Sequence, residues 1–392
     1  MTDTRRDVFD PRFPSVAMLR EQARRRMPTF AFQYLDGGCF SETGLARNTA
    51  AIRAIELEPR YLLPDYAGAD LNTELFGVTY AAPFGIAPVG LQGLMWPKAC
   101  EILAAAARDR NVPFILSTVS TCSLEEVARI TEGAAWFQLY HPKEDDLRND
   151  LLDRARSSGY DVLVLLADTP TFAWRPKEIR NGLSIPPRMT AENILQILLH
   201  PTWSLGQLTA GIPEFATVKP YLPAGLSLRH LGEFMNRTFD GRLTPDRIAR
   251  IRDLWSGTLV IKGVVHPEDA ERALKLGVDG IIVSNHGGRQ IDVGPATVTS
   301  LRPLADAYGD KLTVMMDSGI RSGADIAVAL ASGAAFAFLG RTPMYAVGAL
   351  GETGGGHVLT MLERQLSQVL EQLGCTHPRQ LSHHLRAYNP PR

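Results

Sequence analysis

Apolar and polar positions alternate in blocks along most of the chain beyond residue 81. Each block holds a short apolar run, a break rich in Gly, Ser, Pro or His, and a stretch with helical spacing of its apolar residues, which is typical of βα units in a parallel sheet. The runs are apolar at nearly every position, which indicates strands buried on both faces. Eight runs fit this description: PFGIAPVG (83–90), PFILSTVS (113–120), AWFQLY (135–140), DVLVLLADTP (161–170), TLVIKGV (258–264), GIIVSNHGG (280–288), LTVMMDSG (312–319) and AFAFLGR (335–341).

Eight buried strands in series predict an α/β fold, a closed TIM (β/α)8 barrel. The alternative, an open doubly wound sheet, ordinarily carries a Gly-rich dinucleotide turn after its first strand, and no GxGxxG occurs in this chain. We therefore predict one barrel domain over residues 1–392. It carries an amino-terminal helical extension (1–80), a long insertion after strand 4 (171–244), and a final helix and tail (344–392).

The insertion contains one strongly apolar stretch, NILQILLHPTWSL (193–205). This stretch predicts a helix, and two placements stay open for it: packing on the barrel or resting on a membrane surface. An apolar stretch more often packs in the protein core than on a membrane.

The composition limits the classes of binding partner that the chain can have. Apolar residues make up 45% and charged residues 21% of the chain, as in soluble globular proteins, and the net charge of -1 offers no basic field for nucleic acid. The four cysteines form no CxxC pair, so we expect no metal site and a reducing cytoplasm. No window reaches the ~18 apolar residues of a spanning helix. Peripheral binding to the inner face of a membrane stays open.

Active sites of (β/α)8 barrels lie at the carboxyl ends of the strands. Small or polar residues stand at every predicted strand end in this chain. They are Pro88, Ser117, Gln138 with Tyr140, Asp168, Lys262, His286, Asp317, and Gly340 with Arg341.

The most informative motif is SNHGGRQ (284–290), directly after an apolar run. Its glycines allow close approach of backbone and ligand, the proton affinity of His286 lies near neutrality, and Arg289 offers a planar fork that matches a carboxylate. A lone histidine at a strand end is as often structural. With the arginine three residues later, the motif predicts proton abstraction beside a bound acid.

Two further features of the sequence, a pair of loops with Gly and Arg and a lysine at a strand end, indicate binding of negatively charged groups. DSGIRSG (317–323) and GR (340–341) follow the last two runs, where barrels commonly bind phosphate through loop amides and a helix amino terminus. Gly-rich turns with surface arginines are the alternative interpretation. Lys262 ends the fifth run inside the barrel, where an ammonium needs a negative partner. A Schiff-base lysine is the competing role for it.

Together, SNHGGRQ, KG (262–263), DSGIRSG and LGR (339–341) resemble the FMN-dependent 2-hydroxy-acid dehydrogenase and oxidase family, which includes glycolate oxidase, lactate oxidase, L-lactate dehydrogenase and mandelate dehydrogenase. The resemblance extends from about Phe32 to Ala387 and implies FMN as the cofactor. The implied FMN-binding residues are Pro88, Val89 and Gly90 against the flavin, Ser117, Gln138, Lys262 and Ser284 near its ring, Asp317 at the ribityl chain, and Gly319, Arg321, Gly340 and Arg341 at the phosphate.

The resemblance also implies the catalytic residues. They are His286 as the base, Asp168 as its carboxylate partner, Arg289 and Arg175 as the clamp for the substrate carboxylate, and Tyr34 and Tyr140 as hydrogen-bonding groups for the substrate. Three departures from the family pattern bear on substrate fit and flavin tuning. They are Leu166 for a usual Thr, Ala173 for a frequent Gly, and CFSETG (39–44) in place of an acidic stretch.

By resemblance we expect oxidation of a lactate- or mandelate-like (S)-2-hydroxy acid to the 2-keto acid by a homotetramer. Two courses stay open: His286 removes the hydroxyl proton as a hydride leaves the α-carbon, or it removes the α-proton to give a carbanion. The electron acceptor is a quinone, a cytochrome or oxygen. APVGLQGLMWP (87–97) and the long insertion favour the dehydrogenases. An oxygen-using oxidase or a lactate monooxygenase is the alternative.

Two functions from other classes stay open. One is a cofactor-free Schiff-base lyase on Lys262, and the other is a barrel without catalysis that serves as a binding or structural protein. The joint presence of His286, Arg289, Asp168 and Lys262 argues against the second.

Overall fold

The eight apolar runs form eight parallel strands in the computed structural model, which describes residues 8–62, 66, 68–183, 188–211, 213–222, 238–239 and 241–386. A short antiparallel hairpin precedes these strands. The strands are Thr73–Leu75 (β1), Val78–Tyr80 (β2), Phe84–Ile86 (β3), Ile115–Ser117 (β4), Trp136–Leu139 (β5), Val162–Leu166 (β6), Thr258–Val264 (β7), Gly280–Val283 (β8), Thr313–Met316 (β9) and Ala337–Leu339 (β10).

The parallel sheet closes on itself. Its strands pair in the order β3, β10, β9, β8, β7, β6, β5, β4, and a parallel bridge between Ile86 and Phe114 joins the two ends of that series. Strands β3, β4, β5, β6, β8 and β10 are buried at every position, as their apolar sequences predicted. The TIM (β/α)8 prediction is confirmed.

Helices surround the barrel and follow its strands. Several begin at a Ser or Thr whose side chain accepts a hydrogen bond from the backbone N–H three residues later, as Ser123, Thr244 and Ser322 do. The helices are Val16–Arg26 (α1), Thr29–Asp36 (α2), Thr43–Arg53 (α3), Gln92–Met95 (α4), Ala99–Asp109 (α5), Leu124–Thr131 (α6), Asp145–Ser157 (α7), Pro176–Arg180 (α8), Ala191–Leu199 (α9), Pro201–Ala210 (α10), Pro245–Leu254 (α11), Pro267–Lys275 (α12), Thr297–Tyr308 (α13), Gly323–Ala331 (α14), Arg341–Leu350 (α15) and Gly354–Leu373 (α16).

The hairpin β1–β2 closes the amino-terminal end of the barrel. Tyr80 and Leu75 belong to the same apolar cluster as Trp136 and Val162, which are the first residues of β5 and β6. The indole N–H of Trp136 donates to the Tyr80 hydroxyl at 3.2 Å. The amino-terminal end is thereby filled with side chains, so a ligand enters from the carboxyl end.

The insertion after β6 contains helices α8, α9 and α10. The apolar stretch 193–205, predicted as one helix, is divided between α9 and α10 because Pro201 has no N–H to continue the first helix. Trp203 is buried against the edge of Phe30 and donates to the Met95 carbonyl. One face of this helix pair therefore packs on the body of the protein, as the first of the two predicted placements requires.

The amino-terminal extension packs beside the site end of the barrel. Asn48 on α3 and Asn285 on the loop after β8 exchange two amide hydrogen bonds, of 2.8 and 2.7 Å. Asp292 accepts hydrogen bonds from the backbone N–H groups of Ser41 and Gly44. These contacts join the extension to the loop that carries His286.

The carboxyl-terminal region contains two helices, α15 and α16, rather than a single final helix. Helix α15 begins at Arg341, directly after Gly340. The tail sequence YNPPR (388–392) lies outside the described residues.

Candidate active site

The carboxyl ends of the barrel strands surround a cavity of about 820 Å³. It brings together most of the residues that the sequence predicted at the site. Its lining includes Tyr34, Pro88, Val89, Gly90, Tyr140, Arg175, Lys262, His286, Arg289, Asp317, Gly319, Arg321, Gly340 and Arg341. Four predicted residues are not part of the lining. Ser284 and Asp168 contact the lining residues Lys262 and His286, and Ser117 contacts Gln138.

His286 is held in a defined orientation. Its backbone lies in the left-handed region, with φ of 58°, and its backbone N–H donates to the Ser284 hydroxyl at 3.1 Å. Its Nδ1 lies 3.0 Å from an Asp168 carboxylate oxygen. A carboxylate only accepts, so Nδ1 carries the proton, and Nε2 has no partner among the described residues. Burial lowers the pKa of His286, and Asp168 partly opposes that shift.

Asp168 approaches the barrel closely because of a glycine. The register of β7 against β8 shifts between Lys262 and Val264, and the intervening Gly263 has φ of 101°. A Cβ on Gly263 would lie 2.5 Å from the Asp168 Cβ. Only glycine satisfies both the dihedral angle and the contact, so KG (262–263) positions Asp168 as well as Lys262.

Lys262 is the buried cation of the barrel interior, with 4% of its side chain exposed. Its Nζ donates to Ser284 at 2.8 Å and lies 3.1 Å from Asp317 and 3.8 Å from Asp168. Burial alone would lower the pKa of Lys262, but Asp317 and Asp168 outweigh it, so the pKa lies above its ordinary value. Lys262 is therefore charged and has the negative partners that the sequence predicted.

The two predicted clamp arginines lie together. Arg289 donates to the backbone carbonyls of Tyr34 and Gly37 at 2.7 and 2.9 Å. Arg175 donates to the Arg289 carbonyl and to the Gln290 side chain. Burial, together with the neighbouring Arg175, lowers the pKa of Arg289. Two guanidinium groups at one wall of the cavity form a site suited to a carboxylate.

Tyr34 and Tyr140 line the cavity near these charges. The Arg289 guanidinium lies 5.1 Å from the centre of the Tyr34 ring. Burial raises the pKa of both hydroxyls, and Glu178 adds to the effect at Tyr34 and Asp168 at Tyr140. Both phenols are thus protonated and able to donate a hydrogen bond.

A second charged region surrounds the start of α15. Arg341 is half-buried, and its guanidinium donates to the carbonyls of Leu35, Gly37 and Gly287. Burial lowers the pKa of Arg341 to about 9. Among the described residues, neither Arg341 nor Arg321 has a carboxylate within salt-bridge distance. The N-terminus of α15 has no side-chain cap, so its N–H groups add to a site for an external anion.

Ser117 and Gln138 are buried at the ends of β4 and β5, and Ser117 donates to the Gln138 amide oxygen at 2.9 Å. The Gln138 Nε2 is buried without a partner among the described residues. A buried amide without an acceptor is costly, so this nitrogen fits a ligand with an acceptor atom.

A model of the FMN-dependent dehydrogenase family matches residues 23–387. The chain belongs to this family. It is similar to the L-lactate dehydrogenase of Pectobacterium atrosepticum, 39% identical over 357 residues that cover 91% of this chain and 92% of that protein. The L-lactate dehydrogenase of Caulobacter vibrioides is 40% identical over 362 residues, with coverage of 92% and 94%.

Solved structures agree with the family. One, described as the monotopic membrane protein (S)-mandelate dehydrogenase, is 34% identical, with a TM-score of 0.90 over 95% of this chain and 99% of that one. A mandelate oxidase is 30% identical, with a TM-score of 0.80 over 95% and 98%. The FMN-dependent dehydrogenase family thus has the barrel fold seen here.

Membership of the FMN-dependent dehydrogenase family makes this chain an FMN enzyme of the 2-hydroxy-acid dehydrogenase and oxidase type, with a hydroxy-acid substrate and an electron acceptor. The predicted cofactor and reaction class are confirmed, and both rival functions, the lyase and the barrel without catalysis, are wrong. The residues present fit FMN. Within the described ranges, Arg341 and Arg321 have no carboxylate partner, which suits the phosphate of FMN, and the Gln138 amide nitrogen has no acceptor, which suits an acceptor on its ring.

Three residues near the site were not singled out from the sequence. Glu178 contacts both clamp arginines, Gln290 donates to the Asp168 and Thr171 carbonyls, and Asn48 holds Asn285. The position of Glu178, three residues after Arg175 at the start of a helix, is the one sequence signal that was available.

Proposed function

We propose that this protein is a dehydrogenase that oxidises a lactate- or mandelate-like (S)-2-hydroxy acid to the 2-keto acid, with His286 as the base. One observation carries the proposal. A neutral imidazole lines the same cavity as two guanidinium groups; its Nδ1 is fixed to Asp168, and no residue that the structure describes contacts its Nε2. This pairs a proton acceptor with a carboxylate clamp.

Substrate binding begins at the arginines. Arg289 and Arg175 bind the carboxylate, and Tyr34 and Tyr140 donate hydrogen bonds to the substrate oxygens. This orients the 2-hydroxyl toward His286. Because backbone carbonyls hold both arginines, those of Tyr34 and Gly37 for Arg289 and that of Arg289 for Arg175, the orientation is established before the reaction begins.

Proton transfer follows from the pairing of His286 with Asp168. His286 takes the hydroxyl proton at Nε2, and the Asp168 carboxylate stabilises the imidazolium that results. Bound FMN would supply the acceptor for the α-hydrogen together with the electron pair of its C–H bond. Lys262 keeps its positive charge throughout because Asp317 and Asp168 raise its pKa.

The chain supplies FMN-binding groups on several strand ends. Gly319, Arg321, Gly340 and Arg341 would hold the phosphate. Asp317 would reach the ribityl chain, and Pro88, Val89, Gly90, Ser117, Gln138, Lys262 and Ser284 would contact the flavin ring.

Apolar side chains occupy the outer part of the cavity. Phe172, Trp174, Leu183, Met189 and Ile197 all line it. This lining favours substrates with an apolar group at the α-carbon, which supports aryl or longer aliphatic acids beside lactate. The likeness to a mandelate oxidase keeps an oxygen-using oxidase as the second candidate.

An anaerobic visible spectrum tests the proposed function. The purified protein is recorded before and after addition of (S)-lactate, (S)-mandelate and longer (S)-2-hydroxy acids. We expect the flavin absorbance to bleach with at least one acid and to return slowly in air. Rapid return in air would favour the oxidase, and a flavin that no 2-hydroxy acid reduces would contradict the proposal.

We also propose peripheral binding to the cytoplasmic face of a membrane, where a quinone or cytochrome would serve as acceptor. On α9 and α10, Leu198, Leu199, Leu205 and Leu208 are 72%, 66%, 63% and 81% exposed. Burying these side chains in an interface is favourable. None of the helices that the structure describes is both long and apolar enough to cross a bilayer.

Changing these four leucines to serine is expected to reduce binding to phospholipid vesicles by about tenfold or more, because each leucine contributes apolar area. Co-sedimentation with vesicles measures the bound fraction. Leu62→Ser combined with Val78→Ser removes exposed apolar side chains elsewhere and serves as the control, which should bind as the wild type does. Equal losses in both variants would contradict the assignment of α9 and α10.

We further propose that residues 1–392 form one FMN-binding domain and that this domain assembles as a homotetramer. One apolar core runs from Val16 through the barrel to Leu381, which supports a single domain. Family resemblance supports the tetramer, and light scattering of the purified protein measures its mass.

A further inference from the structure

Glu178 occupies the space between the two clamp arginines. Its Oε1 lies 2.6 Å from Arg289 Nη2, and both of its carboxylate oxygens lie 3.4 Å from Arg175 Nη1. Its side chain is 12% exposed. A carboxylate of the protein thus already contacts both arginines that the proposed function assigns to the carboxylate of a ligand.

Local sequence places Glu178 there. Arg175 is the N-cap of α8, Pro176 is its first residue, and Glu178 lies in its first turn. Positions three apart lie on one side of a helix, so Glu178 returns toward Arg175. An acidic residue is also favourable near a helix N-terminus.

The arginines do not depend on Glu178 for their positions. Arg289 retains two carbonyl acceptors, those of Tyr34 and Gly37. Arg175 retains the Arg289 carbonyl and the Gln290 side chain. Removing the charge of Glu178 therefore changes the electrostatics of the clamp more than its geometry.

At the substrate end of the cavity, apart from Arg321 and Arg341 at the proposed phosphate site, the charges balance without a ligand. Arg175, Arg289 and Lys262 are opposed by three carboxylates, those of Asp168, Asp317 and Glu178. His286 adds no charge while it is neutral. An incoming carboxylate thus meets balanced charges at the substrate end, and without Glu178 it would meet a net positive group of side chains there.

We propose that Glu178 competes with the carboxylates of substrate and product for the arginine pair and so limits how tightly either anion is held. Arg289 keeps a free Nε–H, which no described residue accepts, and a ligand carboxylate engages the arginines while sharing them with Glu178. This competition favours release of the product, because the 2-keto acid carries the same carboxylate as the substrate. This inference rests on the clamp assigned in the proposed function.

Glu178→Gln tests the inference in the FMN-loaded enzyme, since the amide keeps the shape of the side chain and removes its charge. Equilibrium dialysis measures the Kd of two 2-keto acids, pyruvate and benzoylformate, without turnover. We expect a Kd about tenfold lower than in the wild type, because the ligand carboxylate no longer shares the two arginines with a second negative charge. Glu178→Ala should also lower the Kd, and it replaces Glu178→Gln in the test if the Gln variant does not fold.

Two controls separate charge from structure. Glu42→Gln removes a nearby carboxylate that pairs with Lys177 and the Gly38 N–H rather than with either clamp arginine, and it should leave the Kd unchanged. The neutral analogue 2-hydroxy-2-phenylacetamide should bind Glu178→Gln and the wild type equally. Carboxylate binding that is weaker or unchanged in Glu178→Gln overturns the inference alone. Wild-type enzyme that binds neither 2-keto acid overturns the proposed function with it.

Discussion

Replacing His286 by Asn is expected to lower the rate of flavin reduction by about 10²–10⁴-fold, the usual contribution of a positioned general base. Asn is the appropriate replacement because His286 has φ of 58°, a region that Asn tolerates better than other residues. The variant should still bind FMN, since the groups around Arg341 are untouched. Stopped-flow bleaching under anaerobic conditions measures the rate.

The matched control is His266→Asn. His266 caps α12 by accepting a hydrogen bond from the Glu268 N–H, a role that Asn also fills, and it lies outside the cavity lining. This variant should reduce its flavin at the wild-type rate. A His286→Asn enzyme with wild-type rates would remove His286 from the mechanism.

The pH dependence provides a second readout of the same residue. His286 accepts a proton only while neutral, and burial lowers its pKa below the ordinary value near 6.5. In the wild type, kcat/KM should therefore stay constant through neutral pH and fall only below about 6.5. That acidic decline should be absent from the residual activity of His286→Asn.

The barrel was predictable because its signal is local and repeated. Each strand is a short apolar run that is buried in the structure, and parallel strands place their carboxyl ends on one face. His286, Lys262 and Asp317 could thus be assigned to one site from their positions after three different runs. The structure places them around one cavity or in direct contact.

Other features depend on distances that a linear pattern does not contain. Glu178 meets Arg289, which lies 111 residues away along the chain, and nothing near Glu178 in the sequence indicates that contact. The hairpin β1–β2 has strands of three residues, too short for a clear alternation of apolar and polar positions. Helix α10 carries apolar residues on more than one side, so its sequence did not distinguish the buried Trp203 from the exposed Leu208.

Lys262→Met is expected to lower the free energy of unfolding by about 3–5 kcal/mol, the cost of removing one partner from a buried ion pair. The substitution leaves Asp317 and Asp168 buried without their shared cation, although the methionine fills much of the same volume. Urea denaturation of the FMN-depleted protein measures the change without a contribution from cofactor binding. Lys275→Met is the control, because Lys275 forms an exposed pair with Glu271, and an exposed pair contributes little to stability.

The decrease in the free energy of unfolding caused by Lys262→Met should become smaller as the pH falls from about 8 toward 5. In the wild type, burial opposes ionisation of Asp168, but Lys262 and His286 outweigh it and hold its pKa below the ordinary value. Asp168 then stabilises the fold above the unfolded pKa near 3.9. Without Lys262, burial dominates and raises the pKa of Asp168, so protonation on acidification stabilises the variant relative to its unfolded state. A loss that stays constant over this pH range would show that the lost stability does not come from unpaired carboxylates.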